Sequence, residues 1–147
     1  MPSVIVLDTL SQEGLDLLEA APGITYEVRT GLKGDALRET LAQFDGAICR
    51  SGVKITAESL EGNRRLKVIV RAGVGTDNID RAAATRAGVV VMNTPAGNTL
   101  STAEHAITLM LALSRNIAPA FQGLREGRWD RSKYMGAQVA GLSLIHI

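Results

Sequence analysis

Short apolar runs, each closed by a polar or glycine-bearing turn, alternate with amphipathic stretches over the first ninety residues. Val4-Ile5-Val6-Leu7 is a continuous apolar run ended by Asp8, the pattern of a buried strand. Ser11 is placed to cap a helix whose Leu15, Leu17 and Leu18 turn inward, and Ala21-Pro22-Gly23 breaks it. Ile24-Thr25-Tyr26-Glu27-Val28 alternates apolar and polar, which reads as an edge or half-buried strand. Gly34 opens a helix with Leu37 and Leu41 one turn apart. Ala47-Ile48-Cys49 is a third strand, Thr56 to Leu60 a short helix, and Val68-Ile69-Val70 a fourth strand. A helix from Asp80 to Arg86 stops at Gly88, and Val89-Val90-Val91-Met92 is the fifth strand. Strands that are continuous apolar runs, separated by helices, predict an α/β fold: a parallel sheet covered by helices on both faces. The expected strand order is flavodoxin-like, 2-1-3-4-5.

The texture then changes. Ser101-Thr102-Ala103-Glu104 has the capping-box pattern, with Ser101 at the N-cap. The long helix that follows carries Ala106, Ile107, Leu109, Met110, Leu111 and Leu113 nearly all round, so it is expected to be buried between two domains or two subunits. A homo-oligomer contact through helix 101–114 is the expectation. A second helix runs from Pro119 to Glu126 and stops at Gly127. Gly141 to Ile147 reads as the start of a strand with no element after it to complete a βα unit.

Composition narrows the class. Aromatics are 3% of 147 residues and hydrophobics 46%, so the core is built from aliphatic side chains. A single cysteine, Cys49, excludes an internal disulfide and a cysteine-based zinc site; no metal ligand set is expected. No apolar run reaches the roughly 18 residues of a membrane span, and the amino terminus lacks a basic leader segment, so a cytoplasmic protein is the default expectation. The net charge of +1 argues against a dedicated nucleic-acid binder. Its distribution is uneven: residues 1–62 hold 5 Lys and Arg against 10 Asp and Glu, and residues 63–147 hold 11 against 5. The basic stretch Arg115–Lys133 reads as a solvated face rather than a functional patch.

In an open parallel sheet, ligands bind beyond the carboxyl ends of the strands. There the sequence places Asp8 after strand one, Arg50-Ser51-Gly52 after strand three, Arg71 to Asn78 after strand four, and Asn93 to Thr99 after strand five. Arg50 and Arg71 end neighbouring strands, and the Ser51–Gly52 and Gly73–Val74 amides would face the same crevice. Arginine with free amides suits a carboxylate or phosphate. The structural alternative is that each arginine caps the sheet and pairs with an acid. Gly73-x-Gly75-x-x-Asn78 lacks the third glycine of a dinucleotide fingerprint and reads as a turn approaching a small ligand; Asp77 would start the next helix. His105 has no nucleophile beside it, Cys49 reads as a buried inert thiol, and Trp129 as an anchor whose indole N–H needs a partner. His146 receives no role.

Together, Arg71-Ala-Gly-Val-Gly-Thr-Asp-Asn-Ile-Asp80, Val91-Met-Asn-Thr-Pro-Ala-Gly-Asn-Thr-Leu-Ser-Thr-Ala-Glu104, Gly127-Arg-Trp-Asp and Lys133-Tyr-Met-Gly136 resemble the D-isomer-specific 2-hydroxyacid dehydrogenase family, from Val4 to about Gly141. Within it they are most similar to the branch that oxidises 3-phospho-D-glycerate to 3-phosphohydroxypyruvate with NAD, at the entry to serine biosynthesis. The resemblance implies a substrate-binding domain over residues 1–97 and the start of a nucleotide-binding domain over 98–141, with 142–147 a tail foreign to the fold. It implies substrate contacts at Arg50, Ser51, Gly73, Val74, Asn98 and Thr99, and cofactor contacts at Val74 and Thr102. The family's phosphate loop and its catalytic Arg, Glu and His fall downstream of Gly141 in that pattern. The expectation is therefore an amino-terminal fragment with no catalytic residue of its own, inactive alone. Two alternatives stay open: another D-2-hydroxyacid dehydrogenase, such as a glycerate or hydroxypyruvate reductase, and a non-catalytic small-anion-binding module. A receiver module would need an acidic cluster after strand one and a lysine ending strand five, and neither is present.

Overall fold

Five four-residue strands pair in parallel in a computed structural model of the chain, which describes residues 1–144. They are β1 (Ser3–Val6), β2 (Thr25–Val28), β3 (Gly46–Cys49), β4 (Val68–Arg71) and β5 (Val90–Asn93). Their order is β2-β1-β3-β4-β5, as the pattern predicts, with alternating β2 on an edge. Between them run α1 (Gln12–Glu19), α2 (Gly34–Leu41), α3 (Ala57–Leu60) and α4 (Arg81–Arg86). Two helices, α5 (Thr99–Ser114) and α6 (Ile117–Arg125), and a 3-10 turn at Arg131–Tyr134 follow. The chain divides into two compact units, Met1–Asn98 and the residues from Thr99 onward.

Local chemistry explains the element starts. Ser11 Oγ accepts the Gly14 N–H at the head of α1. Thr56 and Ser59 cap α3 reciprocally, the Thr56 N–H donating to Ser59 Oγ at 3.3 Å. Asp80, not Asp77, caps α4: its Oδ1 accepts the Ala83 N–H at 2.8 Å. Leu15 and Leu18 lie three apart on one half-buried side of α1. Leu17 falls off that side and is 75% exposed, contrary to the inward placement expected of it.

The core lies on one face of the sheet. Ile5, Ala47, Cys49 and Ile69 project from alternate strand positions and meet Leu37 and Leu41 of α2, Leu60 of α3, and Ala83 and Ala84 of α4. The opposite face departs from the expected double cover. Val6 is fully buried there, but Ile48, Val68 and Val70 are half-buried and Val90 and Met92 exposed.

At the amino-terminal end of the sheet, Asp45 accepts from the Ser3 N–H (2.8 Å), Ser3 Oγ (3.0 Å) and the Arg65 guanidinium (3.2 Å). These bonds, the Arg65 contact first, hold its carboxyl well below the usual carboxylate range. A depressed folded pKa means that the stabilisation is fully present above the unfolded value, near pH ~3.9, and is lost as pH falls through the folded value. Asp45→Asn is therefore expected to lower stability at neutral pH, with the gap from the parent chain closing as pH drops below about 4. Urea midpoints at several pH values measure this; a gap independent of pH would show that the carboxylate charge is irrelevant.

In the second unit, α5 begins at Thr99, two residues before Ser101. The expected N-cap thus sits inside the helix, because a turn in which the Gly97 N–H bonds the Thr94 carbonyl leads straight into it. Within this chain α5 has no buried residue, and Leu113 is 82% exposed. Within its own unit α6 packs against it, and the Ala137 N–H bonds the Ser114 carbonyl at its end. α6 starts at Ile117, keeping Pro119 in its first turn, where a missing N–H costs nothing. Gly127, at φ +76°, closes it. Arg128 pairs with Glu126 and Asp130, so part of the basic stretch is neutralised locally. Trp129 is 71% exposed rather than anchored. Gly141 to Leu144 forms a turn and bend, not a strand, and Leu142 and Leu144 are exposed. The remainder of the expected strand, with His146, lies outside the described residues.

Candidate active site

Cys49, Arg71 and Asn93 share one rung of the sheet at the carboxyl ends of β3, β4 and β5. Arg50 follows one residue beyond. The loops that leave this rung are tied to one another rather than free. The Ala72 N–H bonds the Cys49 carbonyl at 2.8 Å, and the Thr94 N–H bonds the Gly73 carbonyl at 3.1 Å. Asn78 Nδ2 donates to the Arg50 carbonyl at 2.7 Å and to the Val53 carbonyl at 2.8 Å. Its own carbonyl accepts the Ile55 N–H, and the Asp80 N–H returns to the Ile55 carbonyl, giving a short parallel bridge between Ile55 and Ile79. Asn93 Nδ2 donates to the Val74 carbonyl at 2.6 Å. Sequence reasoning missed the clamping by Asn78 and Asn93. The available signal is an asparagine inside or beside each glycine turn, since one amide side chain offers two donors to backbone carbonyls.

Both glycine turns exist for close approach. A Cβ on Gly52 would lie 2.2 Å from Asp8 Oδ1, and one on Gly73 would lie 2.0 Å from Arg71 Nη1. Asp8 uses its other oxygen to accept the Arg50 N–H at 2.6 Å. The Arg50 side chain reaches the Thr9 carbonyl at 3.3 Å. Among the described residues neither Arg50 nor Arg71 forms an ion pair with an acid, so the sheet-capping alternative does not describe them.

The Gly73 N–H is not available to a ligand in this structure, because it bonds the Arg71 carbonyl at 2.9 Å. The Ser51, Gly52 and Val74 amides have no acceptor among the described residues. Ser51 and Asn98 are exposed, and Val74 is 44% exposed. Thr99 and Thr102 belong to the second unit, at the start of α5, where Thr102 and His105 are exposed. Burial, reinforced by the negative charge of Asp8, pushes the Cys49 thiol up to about 11, so it stays protonated and unreactive. Among the described residues no cluster of His, Cys, Asp or Glu is arranged to hold a metal ion. No helix there is long and apolar enough to cross a membrane.

The fit of a dinucleotide is poor. The pyrophosphate needs unoccupied amides at a helix amino terminus. Here Asp80 already fills the head of α4, and the Asp77 carboxylate lies against Gly75, where a Cβ would be 2.8 Å from Oδ1. Both put negative charge where the pyrophosphate would come. Exposed Val74 offers an apolar side chain and one backbone amide, not the row of amides a pyrophosphate needs.

Known proteins are similar to this chain in sequence and fold. The D-3-phosphoglycerate dehydrogenase of Archaeoglobus fulgidus is 44% identical over 138 residues, 94% of this chain and 26% of that protein. The enzyme of the same name from Synechocystis is 40% identical over 139 residues, 95% of this chain and 25% of that protein. The chain thus spans about a quarter of the length of these relatives. The NAD+-bound 3-phosphoglycerate dehydrogenase of Entamoeba histolytica superposes with a TM-score of 0.67 at 32% identity, over 78% of this chain and 39% of that one. The sequence model for the catalytic domain of D-isomer specific 2-hydroxyacid dehydrogenases matches residues 4–140. With the sheet order and the strand-end loops in place, that match over nearly the whole chain makes it a member of the D-isomer specific 2-hydroxyacid dehydrogenase family.

Proposed function

We propose that residues 1–97 are the substrate-binding domain of an NAD-dependent D-3-phosphoglycerate dehydrogenase, and that 98–141 begin its nucleotide-binding domain. The whole enzyme oxidises the 2-hydroxyl of 3-phospho-D-glycerate to the ketone. This chain's part is to bind and orient the acid. The observation that carries the reading is the pair of arginines at adjacent strand ends, neither spent on an acid, beside the undonated Ser51, Gly52 and Val74 amides. A charge-assisted grip there fixes the substrate's orientation before any chemistry. The names of the relatives support the choice of substrate. Asn98, Thr99 and Thr102 are proposed as site-wall residues, the last beside the nicotinamide. Because the described residues give the pyrophosphate no cradle, the chain alone is proposed to bind NAD poorly and to form no NADH.

The test is a titration of the isotope-labelled chain with 3-phosphoglycerate, followed by amide NMR. Saturable shifts centred on Arg50, Ser51 and Val74 are expected, with no NADH formed when NAD is added. Shifts no larger than those given by sulfate, or shifts elsewhere on the sheet, would sink the reading.

A further inference from the structure

The two free edges of the sheet are built differently. β2 carries charge along its edge: Glu27 pairs with Arg29 at 2.6 Å, and Glu19 hydrogen-bonds the Tyr26 hydroxyl. Charges of this kind guard an edge against pairing with another chain. β5 holds no charged residue, no glycine and no proline. Its Val90 and Met92 side chains are 59% and 53% exposed. A groove of about 680 Å³, lined by Arg81, Ala82 and Thr85 of α4 and by Val89 and Val91, opens beside it.

The backbone of that edge offers two residues for pairing. Along a strand, successive residues turn their N–H and C=O groups to opposite sides. The Val90 N–H bonds the Lys67 carbonyl at 2.9 Å, so Val90 and Met92 are turned to β4, and Val91 and Asn93 face outward. Among the described residues the Val91 and Asn93 amides have no acceptor. The pattern stops on either flank. The Val89 N–H is spent on the Ala84 carbonyl, the Thr94 N–H on the Gly73 carbonyl, and Pro95 has no N–H. Two outward residues, two positions apart, are the complement of their own copy turned end for end. In that antiparallel register Val91 of each chain meets Asn93 of the other through four hydrogen bonds, and the two Met92 residues face each other in the close, non-bonded pairing. A shift of two residues either way sets Asn93 against the spent Val89 N–H, or Val91 against Pro95.

We infer that the β5 edge is a self-pairing surface. Its occupant is β5 of a second copy of this chain, and pairing joins the two sheets about a two-fold axis at Met92. The interface is small beside the roughly 1,200 Å² of stable complexes, so the dimer is weak and forms as concentration rises.

The test is sedimentation velocity on the full chain over a concentration series, with Met92→Lys and Met92→Glu alone and mixed in equal amounts. The parent chain should pass from monomer to dimer. Each variant alone should weaken the dimer by roughly 10-fold or more, because the apolar contact is lost and like charges stand directly opposite each other. The mixture should restore it, since Lys meets Glu only if residue 92 lies on the axis. The Met92 side chain is exposed, so neither substitution disturbs the core. In the parent chain, amide exchange at Val91 and Asn93 should slow as concentration rises, while Tyr26 and Val28 on the other edge stay unchanged, a readout that needs no variant to fold. A parent chain that stays monomeric would overturn the inference. So would a dimer that survives both Met92 variants and is lost in Leu113→Lys, which would put the interface on α5. A mixture that stays monomeric, or exchange at Val91 and Asn93 that ignores concentration, would overturn it as well.

Discussion

Ile69→Ala is expected to cost the first unit about 2–5 kcal/mol, a large part of a typical domain's stability. Ile69 is fully buried on β4, between Ala47 of β3 and Val91 of β5. Its β3 partner Ala47 is too short to swing into the space it would leave. The loss therefore includes most of the cavity term as well as the transfer term. Val90→Ala, by contrast, removes an exposed side chain on β5 and should change stability little. Urea unfolding followed by circular dichroism measures both. Tryptophan fluorescence is the wrong probe, because the single tryptophan, Trp129, lies in the second unit and is exposed. Similar midpoints for the two variants would mean that the core is not where the burial pattern places it.

The second large effect belongs to Asn78. Asn78→Ala removes the donor to the exposed Arg50 carbonyl and to the half-buried Val53 carbonyl at once, and leaving the latter without a partner is expected to cost about 1–3 kcal/mol. The consequence reaches beyond stability, because these two bonds hold the loop after β3 against the loop after β4. Amide exchange at Ile55 and Asp80, whose N–H groups form the bridge between those loops, should speed up, while the β1–β2 amides keep their protection. Asn78→Asp is expected to be no better, since a carboxylate offers the carbonyls no proton. Unaltered exchange at Ile55 and Asp80 in Asn78→Ala would show that the backbone bridge holds the loops without the side chain.

The sheet was legible in the sequence because its strands are apolar runs too short to be helices. Strand order followed from the parallel α/β pattern, and the edge position of β2 from its alternation. Glycine turns after two neighbouring strands were enough to point at one end of that sheet. What escaped were bonds between side chains and distant backbone. Asn78 reaches a carbonyl 28 positions away, and no local pattern encodes that. Capping was read correctly where the polar residue directly precedes the helix, as at Ser11. It is ambiguous where two acids compete, as with Asp80 rather than Asp77 at α4, and where a preceding turn already feeds the helix, at Thr99 ahead of Ser101. The apolar surface of α5 is legible in the sequence, and within this chain it stays exposed. Composition says that a surface wants cover, not that this stretch of chain provides it.

The order β2-β1-β3-β4-β5 carries a consequence for synthesis. Each strand after the first pairs with one that left the ribosome before it: β2 and β3 with β1, β4 with β3, β5 with β4. Every strand after β1 thus finds a partner already made when it emerges. The sheet grows outward from its first strand in the direction of translation, with β2 left as one edge and β3, β4 and β5 added in turn on the other. Circular permutation that moved β1 to the end of the chain would keep every native contact yet leave β2 and β3 without the strand between them until the last moment. Such a permutant should reach the same fold with more aggregation on the way.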